Sequence, residues 1–110
     1  MILRKGGVIF FGLLRGEAIA TFALTPVTPG VMELNKMAVR EDVQSLGLGQ
    51  ELMRFLIAKC EQMHVHTIEL YSNSKLKSAI HIYRKFGFAE VALPDECIYE
   101  RADIRMRLHL

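Results

Sequence analysis

Hydrophobic and polar positions follow two rhythms along the chain, and the switches between them lay out its elements. Residues 8–14 (VIFFGLL) form a continuous apolar run, as a buried strand does. Arg15 and Gly16 break the run and residues 17–24 resume it, so the pair predicts a hairpin. Residues 25–30 (TPVTPG) are dense in turn formers and predict a loop. A third strand is predicted over 31–39, followed by a connection at 40–46. From about residue 50 to 63, Leu52, Met53, Leu56, Ile57 and Cys60 recur at helical spacing, which buries one face. Residues 67–71 predict a short fourth strand. Ser72, Asn73 and Ser74 offer capping side chains for a second helix over about 75–86. Leu76, Ala79, Ile80, Tyr83 and Phe86 share one face of that helix, and Gly87 is placed to end it. Residues 88–93 predict a fifth strand and 94–101 a loop. Finally Ile104, Met106, Leu108 and Leu110 alternate with Arg105, Arg107 and His109, the pattern of a half-exposed strand. The order β-β-β-α-β-α-β-β predicts an α/β (α+β) fold, a mixed sheet with helices packed on it, in one domain spanning 1–110.

Composition narrows the classes. A hydrophobic fraction of 51% argues for a globular chain, and a net charge of +2 without a basic stripe argues against nucleic acid as a partner. Arg4 and Lys5 before residues 8–14 loosely imitate a signal peptide, but Arg15 and Glu17 cut the run short, and it is too short to span a bilayer. Two cysteines, Cys60 on the apolar helix face and Cys97 in a loop, form neither a disulfide framework nor a zinc site. A cytoplasmic setting, with no metal and no membrane, is expected. His64 and His66 are too few for a metal site, and His81 lies on a polar helix face.

The chemistry concentrates in Gln44-Ser45-Leu46-Gly47-Leu48-Gly49, a glycine-rich turn between a strand and a helix. Amide N–H groups at a helix start lack intrahelical partners, and the helix dipole favours negative charge there, so the turn suits a phosphate. A P-loop is excluded because no Gly-Lys-Ser/Thr follows. A dinucleotide fingerprint is excluded because Leu52 stands where the third glycine belongs, and the hairpin-first order does not suit a βαβ unit.

The remaining pattern, Gln-x-x-Gly-x-Gly, resembles the signature of the GNAT superfamily of acetyl-CoA-dependent N-acetyltransferases. Glu33-Leu34-Asn35-Lys36-Met37-Ala38-Val39 resembles the strand that leads into that signature. Ala79-Ile80-His81-Ile82-Tyr83-Arg84-Lys85-Phe86-Gly87-Phe88 resembles the family's second block. The resemblance covers nearly the whole chain. It implies a GNAT-like mixed, mostly antiparallel sheet flanked by helices, and transfer of an acetyl group to a primary amine by direct attack, with acetyl-CoA as co-substrate. The acceptor would be a small-molecule or protein amine. Two departures stand out. Family members usually carry a strand and two helices ahead of the first hairpin, so the acceptor wall is either cut away or supplied from elsewhere, for instance by a homodimer partner. Leu76 also stands where many relatives have a pantetheine-binding Asn, with Asn73 three positions earlier as its substitute.

The resemblance also distributes roles. Gln44, Ser45, Leu46, Gly47, Leu48, Gly49 and Gln50 would cradle the pyrophosphate. Met37, Ala38 and Val39 would pair through their backbones with the pantetheine arm, like an added strand. Asn73, Ala79 and Tyr83 would complete the cofactor site. A protonated amine needs a base, and a leaving thiolate benefits from an acid. Glu33 is the candidate base, although a solvated strand carboxylate fits its position equally. Tyr83 is the candidate acid, although its helix face also suits a core aromatic. Tyr99 either lines the acceptor site or packs. The rival classes are a non-catalytic acyl-CoA-binding module and an NAD(P)-binding domain.

Overall fold

A computed structural model describes residues 3–4, 7–14, 16–40, 47–95, 99 and 101–110. The strands are β1 (Leu3–Arg4), β2 (Gly7–Leu14), β3 (Glu17–Thr28), β4 (Val31–Val39), β5 (Thr67–Ser72), β6 (Ala89–Val91) and β7 (Ile104–His109). Helix α1 (Leu48–Gln62) joins β4 to β5, and α2 (Lys77–Lys85) joins β5 to β6. The strands form one sheet in the order β1-β2-β3-β4-β5-β7-β6. Every neighbouring pair is antiparallel except β4 with β5, which is parallel.

Most predicted elements are present, with four informative differences. A two-residue strand, β1, lies ahead of the hairpin and pairs with β2. The predicted loop over 25–30 is mostly strand, because β3 runs on to Thr28 and only Pro29 and Gly30 turn. Pro26 fits there because the ladder shifts register between Pro26 and Thr28, where a missing N–H costs little. Helix α2 starts at Lys77 with Leu76 as its N-cap and no capping side chain; the serines and Asn73 act before it begins. Lastly, β4–α1–β5 is a parallel crossover, so the hairpin-first order does not forbid a βαβ unit; only the missing glycine at Leu52 argues against the dinucleotide motif.

Alternation along the strands splits the sheet into two chemically different faces. Phe22, Leu24, Met32, Leu34, Ile68, Leu70, Ile104 and Met106 point to one face, where they form a single cluster with Leu52, Met53, Leu56 and Cys60 of α1 and Tyr83 of α2. Full burial of one such aliphatic side chain contributes about 1.5–3 kcal/mol. The intervening residues Thr25, Glu33, Asn35, Thr67, Glu69, Tyr71, Arg105 and Arg107 point to the other face.

Candidate active site

The two glycines at the start of α1 have different structural roles. Gly47 is the N-cap, with φ 75° and ψ 15°, a left-handed conformation that costs other residues about 1–2 kcal/mol. The first helical bond runs from Glu51 N–H to the Gly47 carbonyl at 3.2 Å, and no side chain caps the end. Among the described residues, a Cβ placed on Gly47 would meet nothing within 4 Å. Gly49 is buried, and a Cβ there would come 2.9 Å from Ile82 Cδ1, so its missing side chain lets α1 approach α2 closely. Gln50 ties the same helices together by accepting a 2.8 Å hydrogen bond from Lys85 Nζ. Leu48 is the first residue of α1, while Gln44, Ser45 and Leu46 lie outside the described residues.

Beside this turn the sheet divides. The β4–β5 ladder runs from Val31 opposite Thr67 to Leu34 opposite Leu70, and then stops. β4 continues to Val39 and, among the described residues, pairs there with β3 alone, through Ala23–Asn35, Thr21–Ala38 and Ala20–Val39. β5 ends at Ser72 and pairs beyond Leu70 only with β7. From residue 35 onward, the edge of β4 that faced β5 carries no strand among the described residues. Met37, Ala38 and Val39 lie on that stretch, so an extended ligand could pair with it as an added strand does.

Tyr83 is held at the end of α2 by a complete Schellman motif. Phe88 N–H donates to the Tyr83 carbonyl at 3.0 Å, and Gly87 N–H to the Arg84 carbonyl at 3.1 Å, with Gly87 at φ 101°. The accompanying apolar contact is Tyr83 against Phe88, with centroids 5.7 Å apart. Burial pushes the Tyr83 phenol above its usual pKa, so it stays protonated at neutral pH. Among the described residues, Arg105 Nε is the one buried side-chain polar atom without a partner, so the Tyr83 hydroxyl is not sealed off unpaired. Ala79, one turn earlier, is half-buried against the core.

Glu33 lies on the opposite, polar face. Its Oε2 accepts hydrogen bonds from Asn35 Nδ2 and from the Tyr99 hydroxyl, both at 2.6 Å. Asn35 Oδ1 in turn accepts from Thr25 Oγ1 at 2.7 Å. Directly opposite Glu33 in the parallel register is Glu69, which is 3% exposed. Arg105 Nη2 reaches Glu69 Oε2 at 2.7 Å and Arg107 Nε reaches it at 3.2 Å. Glu69 and its two arginines escape the sequence reading, which takes Arg105 and Arg107 as an exposed face. A charged residue alternating with Ile68 and Leu70 was the available signal.

Asn73 is committed to folding the chain. Its Oδ1 accepts from Lys75 N–H at 2.9 Å, and its Nδ2 donates to the Arg101 carbonyl at 2.7 Å. Ser74 binds Asp103 through both its N–H and its hydroxyl, and those bonds hold the Asp103 carboxyl below its usual pKa. The Cys60 thiol is fully buried, as expected, and burial pushes its pKa up to about 11.

Among known proteins, the chain matches the acetyltransferase (GNAT) family over residues 2–88. It is 34% identical over 83 residues to the [ribosomal protein bS18]-alanine N-acetyltransferase of Escherichia coli K12, covering 76% of this chain and 56% of that protein. It is 33% identical over 63 residues to a mycothiol acetyltransferase of Cellulomonas flavigena, covering 57% of this chain and 18% of that protein. The chain thus spans about half the length of the E. coli enzyme. Among solved structures, a Bacillus subtilis acetyltransferase in complex with CoA superposes with a TM-score of 0.81 at 26% identity, over 94% of this chain and 77% of that one. A GNAT-family acetyltransferase of Staphylococcus aureus gives 0.83 at 22% identity, over 96% and 68%. The family match over most of the length, joined to the glycine turn beside a parted parallel strand pair, means that the chain belongs to the GNAT acetyltransferase family.

Proposed function

We propose that the chain forms the catalytic core of an N-acetyltransferase that moves the acetyl group of acetyl-CoA onto a primary amine by direct attack. The observation that carries this reading is the parting of β4 from β5 after Leu34 and Leu70, at the end of the crossover where α1 begins on Gly47. Acetyl-CoA supplies an acyl group activated by a sulfur leaving group. The residues present fit it. The backbones of Met37, Ala38 and Val39 offer an amide-bearing arm a strand edge on which no described strand pairs. The start of α1 at Gly47 to Gln50 offers N–H groups and a helix N-terminus to a pyrophosphate, and Gln44, Ser45 and Leu46 join that reading on the sequence alone. Ala79 leaves room at the face of α2, and Asn73 contributes by fixing the turn before that helix.

Glu33 is the base. Its Oε2 is held by two donors, and its Oε1 takes no hydrogen bond from any described residue, which leaves that oxygen to receive a proton from the acceptor ammonium. Tyr83 is the acid, because burial keeps its hydroxyl protonated until it donates. The two lie on opposite faces of the sheet, so the gap between β4 and β5 separates proton removal from proton delivery. The E. coli relative's name makes a peptide with N-terminal alanine the first acceptor to try. A cytoplasmic homodimer completes the reading; the free, buried Cys60 supports a reducing compartment.

Acetyl-CoA is expected to raise the melting temperature, and an amine panel read by mass spectrometry is expected to contain an acetylated product. No thermal shift at millimolar acetyl-CoA sinks the proposal. A shift without any acetylated amine leaves a non-catalytic acyl-CoA-binding module.

A further inference from the structure

We infer that Tyr99 is a positioning residue for Glu33, held in place by a column formed by Glu69, Arg105 and Tyr71. The inference rests on the role of Glu33 as base proposed above.

A glutamate side chain loses rotamer freedom when fixed, so a base used in one geometry needs something to hold it. Here two donors converge on one oxygen, Asn35 from the same strand and Tyr99 from the segment joining β6 to β7, 66 positions away. Both hold Oε2, which restricts the rotamers open to the carboxylate. Tyr99 is 37% exposed and is braced from beneath. Its ring packs against Tyr71 with centroids 5.2 Å apart and planes tilted by 53°, a favourable aromatic geometry. The Arg105 guanidinium lies 5.7 Å from the Tyr71 ring centroid, a cation–π contact. Arg105 is anchored in turn by Glu69 at 2.7 Å.

The column also accounts for the buried Glu69. Two carboxylates face each other across the parallel pair, an arrangement that repels unless cations intervene. Arg105 and Arg107 neutralise Glu69, and Arg105 carries that anchoring outward to the aromatic pair. Glu69 therefore supports the base from below without touching the reaction.

The test is acetyl transfer from acetyl-CoA to the best amine of the panel, comparing Tyr99→Phe, Glu33→Ala and the double variant. Tyr99→Phe keeps the ring and deletes the donor. Its kcat/KM for the amine is expected to fall about tenfold, the scale of one hydrogen bond to a charged group. Acetyl-CoA affinity and melting temperature are expected to hold. If Tyr99 acts through Glu33, the double variant is no worse than Glu33→Ala, within about twofold. A Tyr99→Phe enzyme with unchanged kcat/KM overturns the inference. So does a double variant whose losses multiply, which would mean that Tyr99 touches the acceptor itself. Unchanged turnover in Glu33→Ala overturns the role of the base, and absence of turnover on every amine overturns the proposed function, each taking the inference with it.

Discussion

The two ends of the β4–α1–β5 unit are built from the same three elements and behave oppositely. At the end where β4 begins, the Gly30 carbonyl accepts from His66 N–H at 2.9 Å and Thr67 N–H at 3.2 Å, and the parallel ladder starts at once. The last turn of α1 closes against this end through Val65 N–H to the Cys60 carbonyl at 2.9 Å. Ile68, opposite Met32, lies fully in the core there. At the other end β4 outruns the ladder, α1 begins on a glycine with no side-chain cap, and a Cβ on that glycine would meet no described residue within 4 Å. Among the described residues, the hydrogen bonds that close the first end have no counterpart at the second.

The helix caps repeat the contrast. Both ends of α1 need a left-handed residue. At the open end this is Gly47, and at the closed end it is His64 with φ 61°. His64 completes a Schellman motif, with His64 N–H on Glu61 O at 3.1 Å and Val65 N–H on Cys60 O at 2.9 Å. Packing at the closed end tolerates the strain of a non-glycine.

Breaking the closed end should give the largest effect. Ile68→Ala, at a fully buried position opposite Met32 near the start of the ladder, is expected to cost about 2–5 kcal/mol in urea unfolding. A loss below 1 kcal/mol would mean that the ladder, and not the core beneath it, holds this end. On the open side, Tyr83→Phe is expected to lower turnover about 10²-fold while leaving acetyl-CoA affinity and stability intact. If stability falls instead, Tyr83 belongs to the core alone.

Cys60 sharpens the comparison through pH. Its folded pKa is raised from the ordinary 9.0 to about 11, so the unfolded thiol ionises first. Its stabilising contribution is fully present below pH 9 and is lost as pH rises toward 11, by about 2–3 kcal/mol in total. Burial of Tyr83 acts in the same direction at higher pH. Cys60→Ala should flatten the alkaline fall in stability, and parallel curves for variant and parent would contradict the burial argument.

The smallest effects compare the two caps. Gly47→Ala is expected to cost about 1–2 kcal/mol and to keep a thermal response to acetyl-CoA, whereas Gly47→Glu should lose that response through added charge. His64→Gly is expected to gain up to about 1 kcal/mol without changing binding. A Gly47→Glu variant that still responds to acetyl-CoA would move the pyrophosphate away from this turn.

Much of this architecture is legible in the residues. The apolar run at 8–14, the helical spacing of Leu52, Leu56 and Cys60, and Gly87 after the second helix each specify an element through short-range geometry. Pro26 misleads, because proline reads as a loop signal and only the register shift in the β3–β4 ladder shows that a strand accommodates it. Asn73 misleads too: its side-chain chemistry suits a ligand, but Lys75 N–H and the Arg101 carbonyl occupy it. Glu69 could not be valued from sequence, since its two arginines arrive from another strand.

By itself, the sequence determined where most of the strands and both helices lie, which face of each helix is apolar, and that glycines precede α1. These properties depend on neighbours two to four positions apart, where periodicity and backbone freedom act. Only the tertiary structure decided that β4 and β5 part after Leu34, that Glu33 faces Glu69, and that Tyr99 reaches back 66 positions to the Glu33 carboxylate. Strand register and loop return depend on contacts between distant segments, and no local pattern of residues encodes them.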